Sequence, residues 1–160
     1  MILLMGDTHD DEEAIKRIFS LYKDKYLSAL IHLGDVTDFT MLSHFKSLKC
    51  EKYLVKGNND FLDLKNCIYL KSIGFDFSNP PFEIFIDGFG HIALMHEPYF
   101  INEYLEDAKT KYIFYCHTHS REKKEKNNKY IVNPGSLSSI SKFKFSYALV
   151  SKEGIEFKTL

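Results

Sequence analysis

The chain is short of the features that mark several protein classes. It has three cysteines, Cys50, Cys67 and Cys116, and no two of them form a CxxC pair. So sparse and odd a set excludes a disulfide framework and zinc-finger spacing, and fits reduced thiols in a cytoplasm. Long apolar runs are missing too. Ala29–Leu33 and Ile92–Met95 are strand-length, far short of the ~20 residues of a membrane helix, so no membrane contact is expected. The opening Met-Ile-Leu-Leu-Met has no basic flank and leads at once to Asp7. It is expected to be a strand rather than a secretory signal, and the expected location is cytoplasmic. Neither sign of charge dominates: 21 basic and 22 acidic residues leave a formal net charge of -1. A general nucleic-acid binder carries a basic excess, so nucleic acid is not the expected partner, although composition leaves a local basic patch open.

What is there suits a soluble globular chain. Its 160 residues are 44% hydrophobic and 27% charged, enough to bury a core without staples. No repeat, low-complexity tract or linker divides it, so one domain over residues 1–160 is expected. Ile2–Met5 reads as a buried strand. Asp10 with Glu13 forms a capping-box-like helix start, and Ile15, Ile18, Phe19 and Tyr22 then follow at helical spacing. Ala29–Leu33 and Lys52–Val55 are the next strands, with a second helix between them after Asp38. This alternation predicts strands that are at least partly parallel. Further on, Phe82–Ile86 and Ile92–Met95 flank a hairpin turn at Asp87–Gly90. Tyr99–Ala108 reads as a short helix, Tyr112–Cys116 and Tyr130–Val132 as strands, and Phe145–Val150 with Ile155–Lys158 as a C-terminal hairpin. Ser72–Pro81 reads as a loop. The predicted fold is α/β, two packed mixed sheets with helices outside.

Nearly every predicted core strand ends in a side chain of metal-binding type. The first leads to Asp7 and His9, the second to Asp35, the third to Asn58, the hairpin strand to His96, and Tyr112–Cys116 to His117 and His119. Ligands of α/β sheets gather outside the carboxyl ends of strands. Two pairs stand two residues apart, a spacing that points both members the same way in extended backbone. The donors are carboxylate, imidazole and one amide without thiolate, a set that suits Mn, Fe, Zn, Co or Ni better than calcium. Singly, each motif also has an ordinary reading. Asp7-Thr8-His9 and Gly34-Asp35 could be turns, Gly57-Asn58-Asn59-Asp60 could be turn chemistry, and His96 could be a core histidine.

In combination and order, Asp7-Thr8-His9, Gly34-Asp35, Gly57-Asn58-Asn59-Asp60, His96, His117-Thr118-His119 and Asn133-Pro134-Gly135-Ser136 resemble the motifs of the calcineurin-like metallophosphoesterases, specifically the small bacterial and archaeal phosphodiesterase branch. The resemblance runs from Met1 to about Ser136. It implies a four-layer α-β-β-α sandwich and two divalent metal ions, with manganese first in expectation and Ni, Fe, Zn or Co as alternatives. It assigns Asp7, His9 and His119 to one ion, Asn58, His96 and His117 to the other, and Asp35 to a bridge. It gives catalytic weight to Asp35, Asn58 and His96, implies a hydroxide shared by the ions as nucleophile, and points to a small phosphoester, a diester before a monoester, as substrate. The alternative is a protein-binding scaffold of the same fold, like the eukaryotic retromer subunit.

Three positions depart from that pattern. Cys116 and Glu97 stand where glycines are usual, and Asn59 stands where this branch often has Cys and phosphatase relatives have His. Cys116 is expected to pack as a small hydrophobe, and Glu97 to face solvent. Asp60 is expected to hydrogen-bond a ligating histidine. Arg121 is a candidate phosphate contact. His32 reads as a core histidine, His44 and His91 lack ligand context, and Lys123, Lys124, Lys126 and Lys129 read as a solvated hairpin. Phe82, Phe85 and Phe89 are a candidate face for a homodimer or higher homo-oligomer.

Overall fold

Alternation along the first strand sets the layering. The computed structural model describes residues 1–140 and 145–160. All four residues of β1 (Ile2–Met5) are buried, so both faces of the strand must be covered. Successive side chains of a strand point to opposite faces. Leu3 and Met5 pack with Ala14, Ile15 and Ile18 of helix α1 (Glu12–Tyr22). Ile2 and Leu4 pack the other way, against Ile92, Phe114 and Val132 of a second sheet.

The first sheet has the order β11-β10-β1-β2-β3-β4, where β2 is Ala29–His32, β3 Glu51–Val55, β4 Asp76–Ser78, β10 Ser146–Val150 and β11 Ile155–Thr159. β1 to β4 run parallel, while β10 and β11 add antiparallel pairs. The second sheet has the order β5-β6-β7-β9-β8, with β5 at Phe82–Ile86, β6 at Gly90–Leu94, β7 at Thr110–Phe114, β8 at Arg121–Lys126 and β9 at Lys129–Pro134. β6, β7 and β9 are parallel, and the edge strands β5 and β8 are antiparallel to their neighbours. On its outer face Ala93, Met95, Ile113 and Ile131 pack against Tyr104 and Leu105 of helix α3 (Ile101–Glu106). Three apolar clusters thus join four layers, helices, sheet, sheet and helix, as the sequence predicts. Among the described residues, no helix is long and apolar enough to cross a membrane.

Several local expectations change. The N-cap of α1 is Asp11, whose side chain accepts from Ala14 N, one residue later than predicted. Asp10 instead accepts from Asp38 N. The segment after Asp38 is a tight 3-10 turn over Phe39–Phe45 rather than an α-helix. Within the predicted loop Ser72–Pro81 the chain forms β4, and before it lies helix α2 (Leu64–Ser72). That helix buries only Leu70 and exposes Leu64 and Ile68, so it has no apolar period to betray it. Phe89 is buried in the inter-sheet core, and Phe82 is half-buried with its ring against Tyr53, which leaves only Phe85 of the proposed aromatic face exposed.

The inter-sheet cluster should dominate stability. Phe114→Ala removes a fully buried ring from its centre and should cost about 3–5 kcal/mol in chemical denaturation. Lys124→Ala, on the exposed face of β8, should stay within about 0.5 kcal/mol of the parent chain. Equal effects would contradict a core seated between the sheets.

Candidate metal centre

Because β1, β2 and β3 are parallel, their carboxyl ends share one rim, and the ends of β6 and β7 meet them from the second sheet. Hydrogen bonds stitch the rim together. Asp7 N donates to Gly34 O, His9 N to Asp35 O, and Cys116 N to His96 O. Asp7, His9, Asp35, His117 and His119 all have positive φ, between 43° and 66°. The two pairs Asp7/His9 and His117/His119 therefore sit in left-handed turns, not in the extended backbone their spacing suggested. Asp and His tolerate this region better than most residues, but it is strained and persists only where the surroundings hold it.

Five residues do the holding. The Asp60 carboxylate, buried, accepts backbone N–H bonds from Asp35, Val36, Thr37 and Gly57 at 2.8–2.9 Å. Its partners are amides, not the histidine expected. Gly34, at φ +91°, meets Gly57 so closely that a Cβ there would lie 2.5 Å from Gly57 N. Asn133 donates to Cys116 O and Thr118 Oγ1, and Ser136 Oγ donates to Asp7 O, which explains the Asn-Pro-Gly-Ser motif as a brace. His32, fully buried, accepts from Gly34 N on Nδ1, so its Nε2 donates to Thr8 Oγ1, 3.2 Å away. Burial pushes its pKa down to about 4, and this core histidine couples the loops after β1 and β2.

All seven predicted donors come together. His9 Nε2 and His119 Nε2 are 3.1 Å apart, and Asp7 Oδ1 lies 3.9 and 3.7 Å from them. His96 Nε2 lies 2.9 Å from Asn58 Oδ1, 3.3 Å from His117 Nδ1 and 3.5 Å from Asp35 Oδ2, and Asn58 Oδ1 is 3.0 Å from His117 Nδ1. Bonds of about 2.0–2.2 Å to one ion leave neighbouring donor atoms roughly 3–3.6 Å apart, which the second grouping matches and the first exceeds slightly at Asp7 Oδ1. Two triads could hold an ion, Asp7 with His9 and His119, and Asp7 with Asp35 and His96. Asp7, rather than Asp35, is common to both.

The electrostatics call for a cation. Asp7 and Asp35 are buried, and Asp7 Oδ1 has no hydrogen-bond partner among the described residues, while Asp7 Oδ2 accepts from Cys116 Sγ and His117 N. An unsatisfied buried acceptor costs about 1–3 kcal/mol, and more when charged. Burial raises the Asp7 pKa, opposed by the Cys116 hydrogen bond and by His96 and His119. For Asp35 burial also pushes upward, but the His96 contact and the Asn59 backbone N–H outweigh it and hold the carboxyl well below its usual range. Burial would lower His96, yet Asp35 draws its pKa up. His96 Nδ1 donates to Leu33 O at 2.8 Å, which turns Nε2 inward toward the oxygens. These carboxylate, imidazole and amide donors fit divalent Mn, Fe, Zn, Co or Ni.

Residues outside the seven fall elsewhere. Arg121 is tied to Ser146, Lys158 and Thr159 in the first sheet, so it is not aimed at the centre as a phosphate contact. Lys123, Lys124 and Lys126 line exposed β8, but Lys129 is buried and caps the carbonyls of Asp107 and Thr110. His44 pairs with Glu12, and His91 stacks edgewise on Phe85. Glu97 is half-buried. Asn59 turns inward, donating N–H to Asp35 Oδ1 and Nδ2 to Asp35 Oδ2 at 2.9 and 2.7 Å.

Asp60 was the site's least legible part, since one carboxylate after Gly-Asn-Asn gives no hint of its four amides. Asp60→Asn exchanges one acceptor oxygen for an NH2 that faces two N–H groups. With hydrogen bonds to charged groups worth about 1.5–3 kcal/mol each, the variant should lose about 3 kcal/mol or more, read as a lower urea midpoint at unchanged m-value. A loss under about 0.5 kcal/mol would show that the loops hold themselves.

Residues 1–154 match the model of the calcineurin-like phosphoesterase superfamily domain. The chain is 26% identical over 141 residues to phosphodiesterase MJ0936 of Methanocaldococcus jannaschii, covering 82% of this chain and 81% of that protein. Its fold is similar to that of a structurally characterised archaeal phosphodiesterase, with a TM-score of 0.89, 22% identity and 99% of each chain covered. It is also similar to zinc-complexed Vps29 from Entamoeba histolytica, with a TM-score of 0.65, 16% identity and coverage of 98% of this chain and 96% of that one. By the match over residues 1–154, the chain belongs to the calcineurin-like phosphoesterase superfamily.

Proposed function

We propose that the chain is a phosphodiesterase that depends on two divalent metal ions and acts on a small phosphodiester. The observation that carries this reading is the buried Asp7 Oδ1, which has no hydrogen-bond partner among the described residues, on a residue that belongs to both donor triads. Asp7, His9 and His119 would hold one ion and Asn58, His96 and His117 the other, with Asp35 as the bridge that the motif pattern implies, although Asp7 is the carboxylate common to both triads, and with manganese the first expectation. Two such ions supply positive charge for the phosphoryl oxygens and lower the pKa of water. The chain's own groups prepare that chemistry. Asp7 and Asp35 contribute two negative charges against four positive, and Asn58 and the histidines ligate as neutral groups, so the loaded centre attracts an anion. The Leu33 carbonyl fixes the His96 proton on Nδ1 and leaves Nε2 free to ligate.

A scaffold role has one observation behind it besides the fold shared with Vps29: Phe61, Leu64 and Ile68, at and beside α2, are exposed. The buried carboxylate oxygen without a hydrogen-bond partner speaks for a metal centre, which the enzyme reading puts to use.

Chelation should abolish hydrolysis of an aryl phosphodiester, and manganese or nickel should be among the ions that restore it. Full turnover in protein shown to be metal-free would overturn the proposal.

The departing oxygen raises a separate question. Asn59 occupies the position of a candidate proton donor, but an amide cannot act as a general acid near neutral pH, and its Nδ2 is engaged with Asp35. Rates should therefore fall steeply as the leaving-group pKa rises. Asn59→His should raise the rate for poor leaving groups relative to good ones by up to ~10²-fold. The ratio is the readout, because any disturbance of Asp35 affects both substrates. A flat leaving-group series, with chemistry rate-limiting, would mean that another group supplies the proton.

A further inference from the structure

We propose that Cys116 is a positioning residue for the metal centre: its buried S–H donates to Asp7 Oδ2 and so leaves Asp7 Oδ1 as the one oxygen free to ligate. The inference rests on the metal-binding reading above and assigns a task to a side chain that this reading does not use.

The geometry is specific. Cys116 Sγ lies 2.8 Å from Asp7 Oδ2 and 3.4 Å from Gly135 O. Cys116 and Asp7 are both fully buried. His117 N donates to the same Oδ2 at 3.1 Å, so one oxygen has two donors and the other has none among the described residues. Both polar neighbours of the sulfur, the Asp7 carboxylate and the Gly135 carbonyl, are acceptors, so the S–H acts as the donor between them.

The neighbouring backbone is shaped around this sulfur. A Cβ on Gly6 would lie 2.6 Å from Cys116 Sγ, 3.1 Å from Leu33 Cβ and 3.3 Å from Cys116 Cβ. Real Cβ atoms do not approach a sulfur so closely, so any side chain at residue 6 would push the Cys116 sulfur from its place. Two of the three conflicts disappear if residue 116 loses its side chain. Gly6 directly precedes Asp7, so the thiol, the gap that admits it and the carboxylate it binds form one unit. Hydrogen-bond partners of metal ligands are typically worth 10–100-fold in metal affinity.

The test is stepwise manganese titration of the metal-stripped chain by calorimetry. Cys116→Ala should weaken one binding step about 10-fold or more, and Cys116→Ser, which keeps a donor, should recover most of that loss. Packing alone predicts the reverse order, since serine is the worse guest in an apolar core, so metal affinity that ranks Ser above Ala separates the two readings. Gly6→Ala should weaken binding more in the native chain than in a Cys116→Gly background, where only the Leu33 contact remains, a coupling that a double-mutant cycle reads directly. The cobalt-loaded native chain should show no thiolate charge-transfer band. Unchanged affinity in Cys116→Ala, or a thiolate band with cobalt, would overturn the inference while leaving the metal centre intact. Failure of the native chain to bind any ion would instead overturn the metal-binding reading, and this inference with it.

Discussion

One buried carboxylate organises the rim of this protein. Asp60 gathers the N–H groups of Asp35, Val36, Thr37 and Gly57, and in doing so locks the loop after β2 to the loop after β3. Charge-assisted bonds of this kind are short and directional, and four on one group leave the loops little freedom. They hold Asp35 and Thr37 at positive φ, a conformation the chain would otherwise leave. They also press Gly34 against Gly57 at a distance that no side chain could share. Asp35 and Asn58 are placed by these contacts before any ion is considered.

The same loops concentrate negative charge where water is scarce. The ion-pair partners of Asp7 among the described residues are His9, His96 and His119, and that of Asp35 is His96. Without a metal such a cluster draws protons, which is the physical content of the upward shift of His96 beside Asp35. Divalent ions can take over that role because the imidazole nitrogens and carboxylate oxygens already converge at or near the separations one ion imposes. Hydrogen bonding is uneven within the cluster: both Asp35 oxygens have partners in Asn59, whereas Asp7 has two donors on Oδ2 and, among the described residues, none on Oδ1. Preorganisation here means leaving the right atom unsatisfied.

Much of this was legible in the sequence, for a physical reason. Buried parallel strands are short apolar runs, and the first polar residues after them sit at the rim, so Asp7, Asp35, Asn58, His96 and His117 could be placed by reading strand ends alone. Three kinds of feature could not. The left-handed turns at Asp7/His9 and His117/His119 are imposed by neighbouring loops, and the spacing of two suggested extended backbone instead. α2 escaped because its apolar residues Leu64 and Ile68 face outward, which erases the periodicity that marks a helix. The work of Asp60, His32 and Asn133 consists of hydrogen bonds to backbone groups distant in sequence, and side-chain identity says nothing about which amides a folded chain will bring near.

The layering explains how strained loops and buried charge persist in a chain of this size. Stability comes from three apolar clusters, one between the sheets and one on each outer face, where each fully buried Leu, Ile or Phe contributes roughly 1.5–3 kcal/mol. None of those clusters needs the rim loops to adopt a comfortable conformation. The sheets fix the strand ends, the strand ends fix the loop anchors, and the short loops between anchors then have few conformations left, including the left-handed ones. Cys116 joins the two regions. It belongs to the inter-sheet cluster with Leu4, Leu33 and Phe114 and also bonds Asp7 at the rim, as the Leu33 carbonyl bonds His96, so the core reaches directly into the proposed metal centre.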